Sequence, residues 1–270
     1  MSESTSRIEE ILPLTPFQEG LYFHTLFDRT RPDMYNVQYV LELTGPLDAE
    51  AMHRAAQFVV DRNAALRAAF RERKSGEPAQ IVVRSATVDW TMVDLMSAAD
   101  RDAALSAFLA DERARRFDLS RPGLIRFALV RLAADRHVLA LTNHHILLDG
   151  WSMPVLLTEL FTAHDAGGAA THLPPPVHHR GFLRWLSEQD GEKALADQVA
   201  ALSDLAGPTF VVPGADVAPE TRAERLTVTL DSDAVRRLLG VVSGLGVTLA
   251  GVVQVGWGVL LGRWLGLSDV

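Results

Sequence analysis

Two adjacent histidines, His144 and His145, followed by Asp149-Gly150 and Ser152, are the residues of this chain best suited to chemistry. Imidazole titrates nearest neutral pH, so a histidine held beside a cleft can take or hold a proton during a reaction. Three chemistries compete for such a group. A zinc site needs converging ligands, but neighbouring strand residues point to opposite faces, and the chain has no cysteine and no HExxH spacing. A serine hydrolase needs GxSxG, and Gly150-Trp151-Ser152-Met153-Pro154 lacks the second glycine. A proton-handling histidine in acyl transfer remains. The plain alternative for each ring is a buried structural histidine. Because alternate side chains diverge, only one of the pair can face a given cleft, and the other must satisfy its nitrogens inside the fold.

The elements around the pair support that division of labour. Val138, Leu139, Ala140 and Leu141 are apolar at consecutive positions, which marks a central strand covered on both faces. Asp149-Gly150 then supplies a turn, glycine tolerating backbone conformations that other residues resist, and Ser152 is expected to cap the next helix. A histidine at the strand end thus falls beside a turn and a helix start.

Farther out, Thr15-Pro16-Phe17-Gln18 reads as a helix start with a capping box, running to about Phe27. Residues 36–44 alternate, with Val37, Tyr39, Leu41 and Leu43 on one face of a half-buried strand. Asp48 opens a helix whose Met52, Ala55, Ala56, Val59 and Val60 form one stripe. Strands are expected at 66–73 and 79–84, a helix across 98–115, and strands at 124–132 and 137–143. Gly167-Gly168 and Pro174-Pro175-Pro176 punctuate a connection over 165–178. Beyond it come a helix near 180–203, a strand near 224–230 and an apolar helix from about 247. Helices and strands mix without a strict βαβ rhythm, so the fold class is α+β.

Composition narrows the function classes. The 270 residues are 48% hydrophobic and 22% charged, an ordinary globular balance with ample material for a core. A net charge of −8 argues against nucleic acid or an anionic membrane as the main partner. The absence of cysteine excludes disulfides, thiolate metal sites and cysteine nucleophiles. The start MSESTSRIEEILPL shows no signal-peptide pattern, so the cytoplasm is the expected location. The apolar run Val247–Leu261 is thinned by glycines and falls short of the ~20 residues that span a bilayer, which favours a buried helix over a membrane one.

The segment Asn143 to Ser152 carries HHxxxDG and resembles the signature of condensation domains of nonribosomal peptide synthetases, which share the chloramphenicol acetyltransferase-like fold. Three more segments agree in order. Leu14-Thr15-Pro16-Phe17-Gln18-Glu19-Gly20-Leu21 is similar to the family's first motif, and Asp61 through Phe70 to its second, with Asn63 and Ala64 departing from the usual residues. His179 through Trp185 is similar to the fourth, with His179 and Gly181 where the family carries Tyr and Asp. The resemblance implies a mixed sheet packed by helices, with residues 1–175 as an N-terminal lobe and 176–270 as a connection and the first part of a second, incomplete lobe. Alone, such a piece is expected to be inactive, and the apolar helix is expected to need a further layer.

The resemblance also implies amide formation: the amine of an acceptor aminoacyl thioester attacks a donor acyl or peptidyl thioester. Both substrates arrive on phosphopantetheine arms of donor and acceptor carrier domains, so the chain needs no cofactor or metal of its own. His145 is then the residue nearest the amine, His144 its support, and Gly150 a source of backbone room and of an amide near the substrate. Asp149 is expected to lock the turn through an ion pair with Arg67. Further implied partners are the rest of the second lobe, downstream synthetase domains and an upstream subunit docking in trans, with no nucleic acid or membrane. The first and third motifs most resemble the subtype that takes a D-configured donor and an L-configured acceptor. Two rivals stay open: a non-catalytic docking platform, and a freestanding acyltransferase of the same superfamily.

Overall fold

A computed structural model of the chain describes residues 7–27, 33–205, 207–212 and 226–270. The chain divides into two units, Met1–Gln189 and Asp190–Val270.

The first unit is organised around one buried strand. β7 (Arg136–His144) lies between β2 (Asn36–Thr44) and β6 (Ile125–Ala133) in a sheet of order β2-β7-β6-β5, where β5 is Asp89–Asp94. The β2–β7 and β6–β7 pairs are antiparallel and β5–β6 is parallel. Every β7 residue after Arg136 is buried, the outcome expected for an apolar strand with neighbours on both edges and cover on both faces. On one face Leu139, Leu141, Phe127 and Leu129 meet the stripe Met52, Ala55, Ala56 and Val59 of α2 (Ala49–Arg62) and Leu156 and Leu160 of α4 (Ser152–Asp165). On the other, Val130, Leu132 and Val138 pack with Val93, Leu95 and with Leu105 and Phe108 of α3 (Arg101–Ala114).

The polar end of α3 is received by side chains from the sheet. The last carbonyls of a helix lack partners within it. Asn36 Nδ2 donates to Arg113 O and Arg115 O, while Arg126 Nη2 donates to Glu112 O and Arg115 O. Arg126 is buried, 3.9 Å above the Phe117 ring, and desolvation lowers its pKa.

A smaller antiparallel sheet, β1-β4-β3, combines β1 (Ile8–Leu12), β4 (Pro78–Val83) and β3 (Ala68–Glu72). β1 and β5 are absent from the sequence reading; short, acidic β1 acquires its extended state by pairing with β4 rather than from any pattern of its own. The strand expected from residue 66 begins at Ala68, because Ala64–Arg67 form a 3₁₀ turn first.

Helix starts follow the local chemistry. α1 (Pro16–Phe27) has the expected reciprocal cap: Gln18 N donates to Thr15 Oγ1 at 3.2 Å and Thr15 N to Gln18 Oε1 at 3.0 Å. Asp48 caps α2 through Ala51 N. The helix expected over 180–203 is two helices, α5 (His179–Ser187) and α6 (Gly191–Ala201), because Asp190 caps the second and restarts it.

In the second unit α6 is followed by α7 (Ser232–Leu245) and α8 (Leu249–Leu265). Of the strand expected at 224–230, residues 224–225 lie outside the described residues and 226–230 form no strand. α8 is the expected apolar helix, but it buries none of its residues. Among the described residues no single helix is long and apolar enough to cross a membrane; α7 and α8 pass that test only as a pair bent by 101°.

Candidate functional site

β7 ends at His144, and His145 is the first residue of the turn that follows. His144 is fully buried, while His145 is partly exposed. His144 N donates to Leu124 O, and His145 N to Tyr35 O at 2.8 Å, so both backbones are still held by neighbouring segments.

The hydrogen bonds assign a tautomer to each neutral ring. Ile146 N donates to His144 Nδ1 at 3.1 Å, which requires a lone pair there and leaves the proton on Nε2. That Nε2 lies 3.1 Å from Thr25 Oγ1 and 3.5 Å from Asp33 Oδ2. His145 is the reverse: Nδ1 lies 2.8 Å from Leu148 O, an acceptor only, so Nδ1 carries the proton and Nε2 keeps its lone pair. The Phe17 ring stands edge-on to His145 with centroids 6.2 Å apart. Gln18 Nε2 donates to Ile146 O, tying the capped start of α1 to the segment after the histidines. An imidazole anchored at one nitrogen and open at the other is equipped to accept a proton.

Asp33 was missed in the sequence because nothing local distinguishes it. Its side chain is 2% exposed, with Tyr35 N donating to Oδ1 at 3.0 Å and Arg116 Nη2 at 3.7 Å from Oδ2. Burial by itself raises the Asp33 carboxyl, but the His144 ring, the Tyr35 N–H and the charge of Arg116 together hold it below the usual carboxylate range. Thr25, in the last turn of α1, is visible as a site residue only once α1 lies against the end of β7.

The expected ion pair between Asp149 and Arg67 does not form. Asp149 is exposed and its Oδ1 accepts from Ser152 N at 2.8 Å and Ser152 Oγ at 2.6 Å. Ser152 is not the expected cap but the first residue of α4; Trp151 holds the cap position without a side-chain bond, and the Asp149 carboxylate receives the unpaired N–H of Ser152 instead. Arg67 is buried elsewhere. Its Nε donates to Val83 O at 2.9 Å, Nη1 to Val60 O at 3.0 Å and to Asp61 O, and Nη2 to Glu9 Oε2 at 2.8 Å. Its supporting role stands on β1 and the end of α2 instead. Gly150 also departs from expectation: its φ is not positive and an added Cβ would meet open space, so the turn does not require glycine. Asn63, where the second motif departs from pattern, donates to Glu159 Oε2 at 2.7 Å, alongside the Arg62–Glu159 pair at 3.0 Å.

The Ser152 hydroxyl is the main cause holding the Asp149 carboxyl below its ordinary value, against a smaller push upward from burial. Its stabilising share is therefore present above the ordinary carboxylate pKa and is lost as pH falls through the lowered one. Asp149→Ala should cost about 1 kcal/mol, the net scale of a lost, solvent-exposed hydrogen bond. Thermal melting at neutral pH checks this, and an insoluble or deeply destabilised variant would restore the buried-pair account.

Among the described residues no group of three or more His, Cys, Asp or Glu side chains could hold a metal ion. A cleft of about 510 Å³ opens between α1, β3 and residues 116–120; Thr25 and Arg116 reach it and His145 does not.

Comparison with known proteins gives a consistent answer. The profile of the Condensation domain family matches residues 8–270. A linear gramicidin synthase chain of Brevibacillus parabrevis is 31% identical over 271 residues, covering 99% of this chain and 5% of that protein. Bacitracin synthase 3 of Bacillus licheniformis is 30% identical over 269 residues, covering 98% of this chain and 4% of its own length. The solved first condensation domain of the calcium-dependent antibiotic synthetase, in complex with a substrate analogue, superposes with a TM-score of 0.78 at 24% identity, covering 97% of this chain and 63% of that one. That likeness carries the fold: the expected α+β architecture of the condensation-domain type is the one observed. The chain spans a small fraction of these synthases and under two thirds of the solved domain.

Proposed function

Because the chain belongs to the condensation-domain family, we propose that it supplies the proton-handling histidine for amide formation in a nonribosomal peptide synthetase. The donor acyl or peptidyl group and the acceptor aminoacyl group are thioesters on phosphopantetheine arms of two carrier domains. The acceptor nitrogen attacks the donor carbonyl carbon, the C–N bond forms, and the C–S bond breaks. His145 Nε2 takes the proton released by the nitrogen, and the departing sulfur leaves as a thiolate that regains a proton.

The single observation that carries this reading is the orientation of His145, with Nδ1 tied to Leu148 O and Nε2 left with its lone pair at a partly exposed strand end. The demand on that base is modest. An α-amino group titrates near ~8 and a thiol near ~8.5, so neither deprotonating the nucleophile nor expelling the sulfur is difficult at neutral pH. Holding the two thioesters in register is a comparable source of rate.

Several finer statements belong to the same proposal. The donor is D-configured and the acceptor L-configured; the partners are donor and acceptor carrier domains, further synthetase domains and an upstream subunit; the location is the cytoplasm. The motif residues around α1 and His145 support the donor subtype, and the likeness to synthase chains many times longer supports further synthetase domains as partners.

A carrier-dependence assay on the intact polypeptide tests the reading. Amide product is expected from carrier-bound donor and acceptor, and more from the D-configured donor than from its L epimer. Turnover with coenzyme A thioesters in place of carriers would make the protein a freestanding acyltransferase. Carrier binding with no turnover would make it a docking platform.

A further inference from the structure

The fully buried His144 has two neighbours on its Nε2 side, and their chemistry differs. Thr25 Oγ1 can donate or accept, but Asp33 Oδ2 can only accept. Asp33 Oδ2 is itself buried, has no hydrogen bond within ordinary geometry, and sits 3.5 Å from Nε2. A lone pair on Nε2 would face that carboxylate without a proton between them. A proton on Nε2 faces it favourably, and then Nδ1 is free to receive Ile146 N–H, as the geometry shows.

We propose that Asp33 is a positioning residue for the condensation reaction: its carboxylate selects the Nε2–H tautomer of His144, which lets His144 Nδ1 hold Ile146 and so sets the 144–148 turn on which His145 is aligned. The chain of contacts is short. His144 Nδ1 receives Ile146 N, His144 O receives Leu147 N at 3.0 Å, and Leu148 O holds His145 Nδ1. A change in the state of His144 therefore reaches His145 through two bonded residues of one turn. The inference rests on the reading of His145 as the group nearest the reacting amine.

The isosteric variant Asp33→Asn reverses polarity toward His144 without changing shape; it also removes the negative charge 3.7 Å from Arg116 Nη2, so the His144 tautomer, which that ion pair does not touch, is the diagnostic readout. Tyr35 N–H already demands an acceptor at the Oδ1 position, so the amide oxygen stays there and the NH₂ group replaces Oδ2. That NH₂ faces His144 Nε2 and asks it for a lone pair. The His144 proton then moves to Nδ1, where it meets Ile146 N–H donor to donor, and the turn loses a support. Thr25→Val removes only the hydroxyl and leaves the carboxylate, so His144 should keep its tautomer.

The test has two arms. Nitrogen NMR of the histidines in the intact polypeptide should show His144 protonated on Nε2 and His145 on Nδ1; Thr25→Val should look the same, and Asp33→Asn should show His144 protonated on Nδ1. Single-turnover and steady-state kinetics of the intact polypeptide should show kcat reduced about 10- to 100-fold by Asp33→Asn, the range expected when a reacting group is slightly misplaced. KM for both carrier-bound substrates should be unchanged. A wild-type His144 protonated on Nδ1 would overturn the proposal. So would a folded Asp33→Asn with unchanged tautomer and kcat. If Asp33→Asn fails to fold, the wild-type and Thr25→Val spectra decide the matter. If wild type makes no amide at all, the functional reading fails, while the spectra still test the tautomer assignment.

Discussion

Replacing His145 with alanine is expected to lower amide formation by at least ~10²-fold, the usual loss when a positioned acid–base group is removed. Stability should change little by comparison, because His145 is partly exposed and its ring makes one hydrogen bond, to Leu148 O. His144→Ala should behave in the opposite proportion. It empties a fully buried site, strands Ile146 N–H and Thr25 Oγ1 and takes away the ring beside Asp33 Oδ2, so the loss should show first in melting and soluble yield. The comparison should use an acceptor slow enough to make bond formation rate-limiting. Equal turnover for His145→Ala and wild type under that condition would assign the rate to substrate positioning alone.

The largest expected stability effect is at Arg67. Its side chain is 6% exposed and its donors are spent on Val60 O, Asp61 O and Val83 O and on the Glu9 carboxylate. Arg67→Ala removes the donor from all four at once. At the cost of an unsatisfied buried group, this should destabilise the first unit by about 3 kcal/mol or more. For a domain of this size that is a fall of about 6–12 °C in Tm. Glu9→Gln should cost less, because Glu9 is 35% exposed and water can replace much of what it loses. Asp149→Ala should not couple to Arg67→Ala in a double-mutant cycle, since the two side chains share no partner. Calorimetry of the four variants checks this, and a strong coupling between residues 67 and 149 would revive the ion pair.

Features controlled by near neighbours along the chain are legible in residue type and spacing. The Thr15–Gln18 cap, the Asp48 cap, the α2 stripe and the apolar run of β7 all depend on contacts within a few residues, so their types and spacing suffice. The burial of His144 belongs to the same class, because it ends the apolar strand, whereas the partial exposure of His145 goes with the turn that follows. The motifs that carry the resemblance are local patterns as well.

Which distant groups meet is set by packing. Arg67 could answer any carboxylate within reach; the pairing of β1 with β4 chose Glu9, where the register shifts between Ile8 and Glu10, and left Asp149 to bond Ser152 at the start of α4. The 3₁₀ turn at Ala64–Arg67 matters too, since a regular strand from residue 66 would have aimed Arg67 differently. Asp33 and Thr25 became part of the site only when α1 and the start of β2 came against the end of β7, more than a hundred residues later. A buried polar group must find its partner, but the need does not say where along the chain that partner lies. Periodicity specifies the faces that are buried, and packing specifies which of the polar groups on those faces share one space.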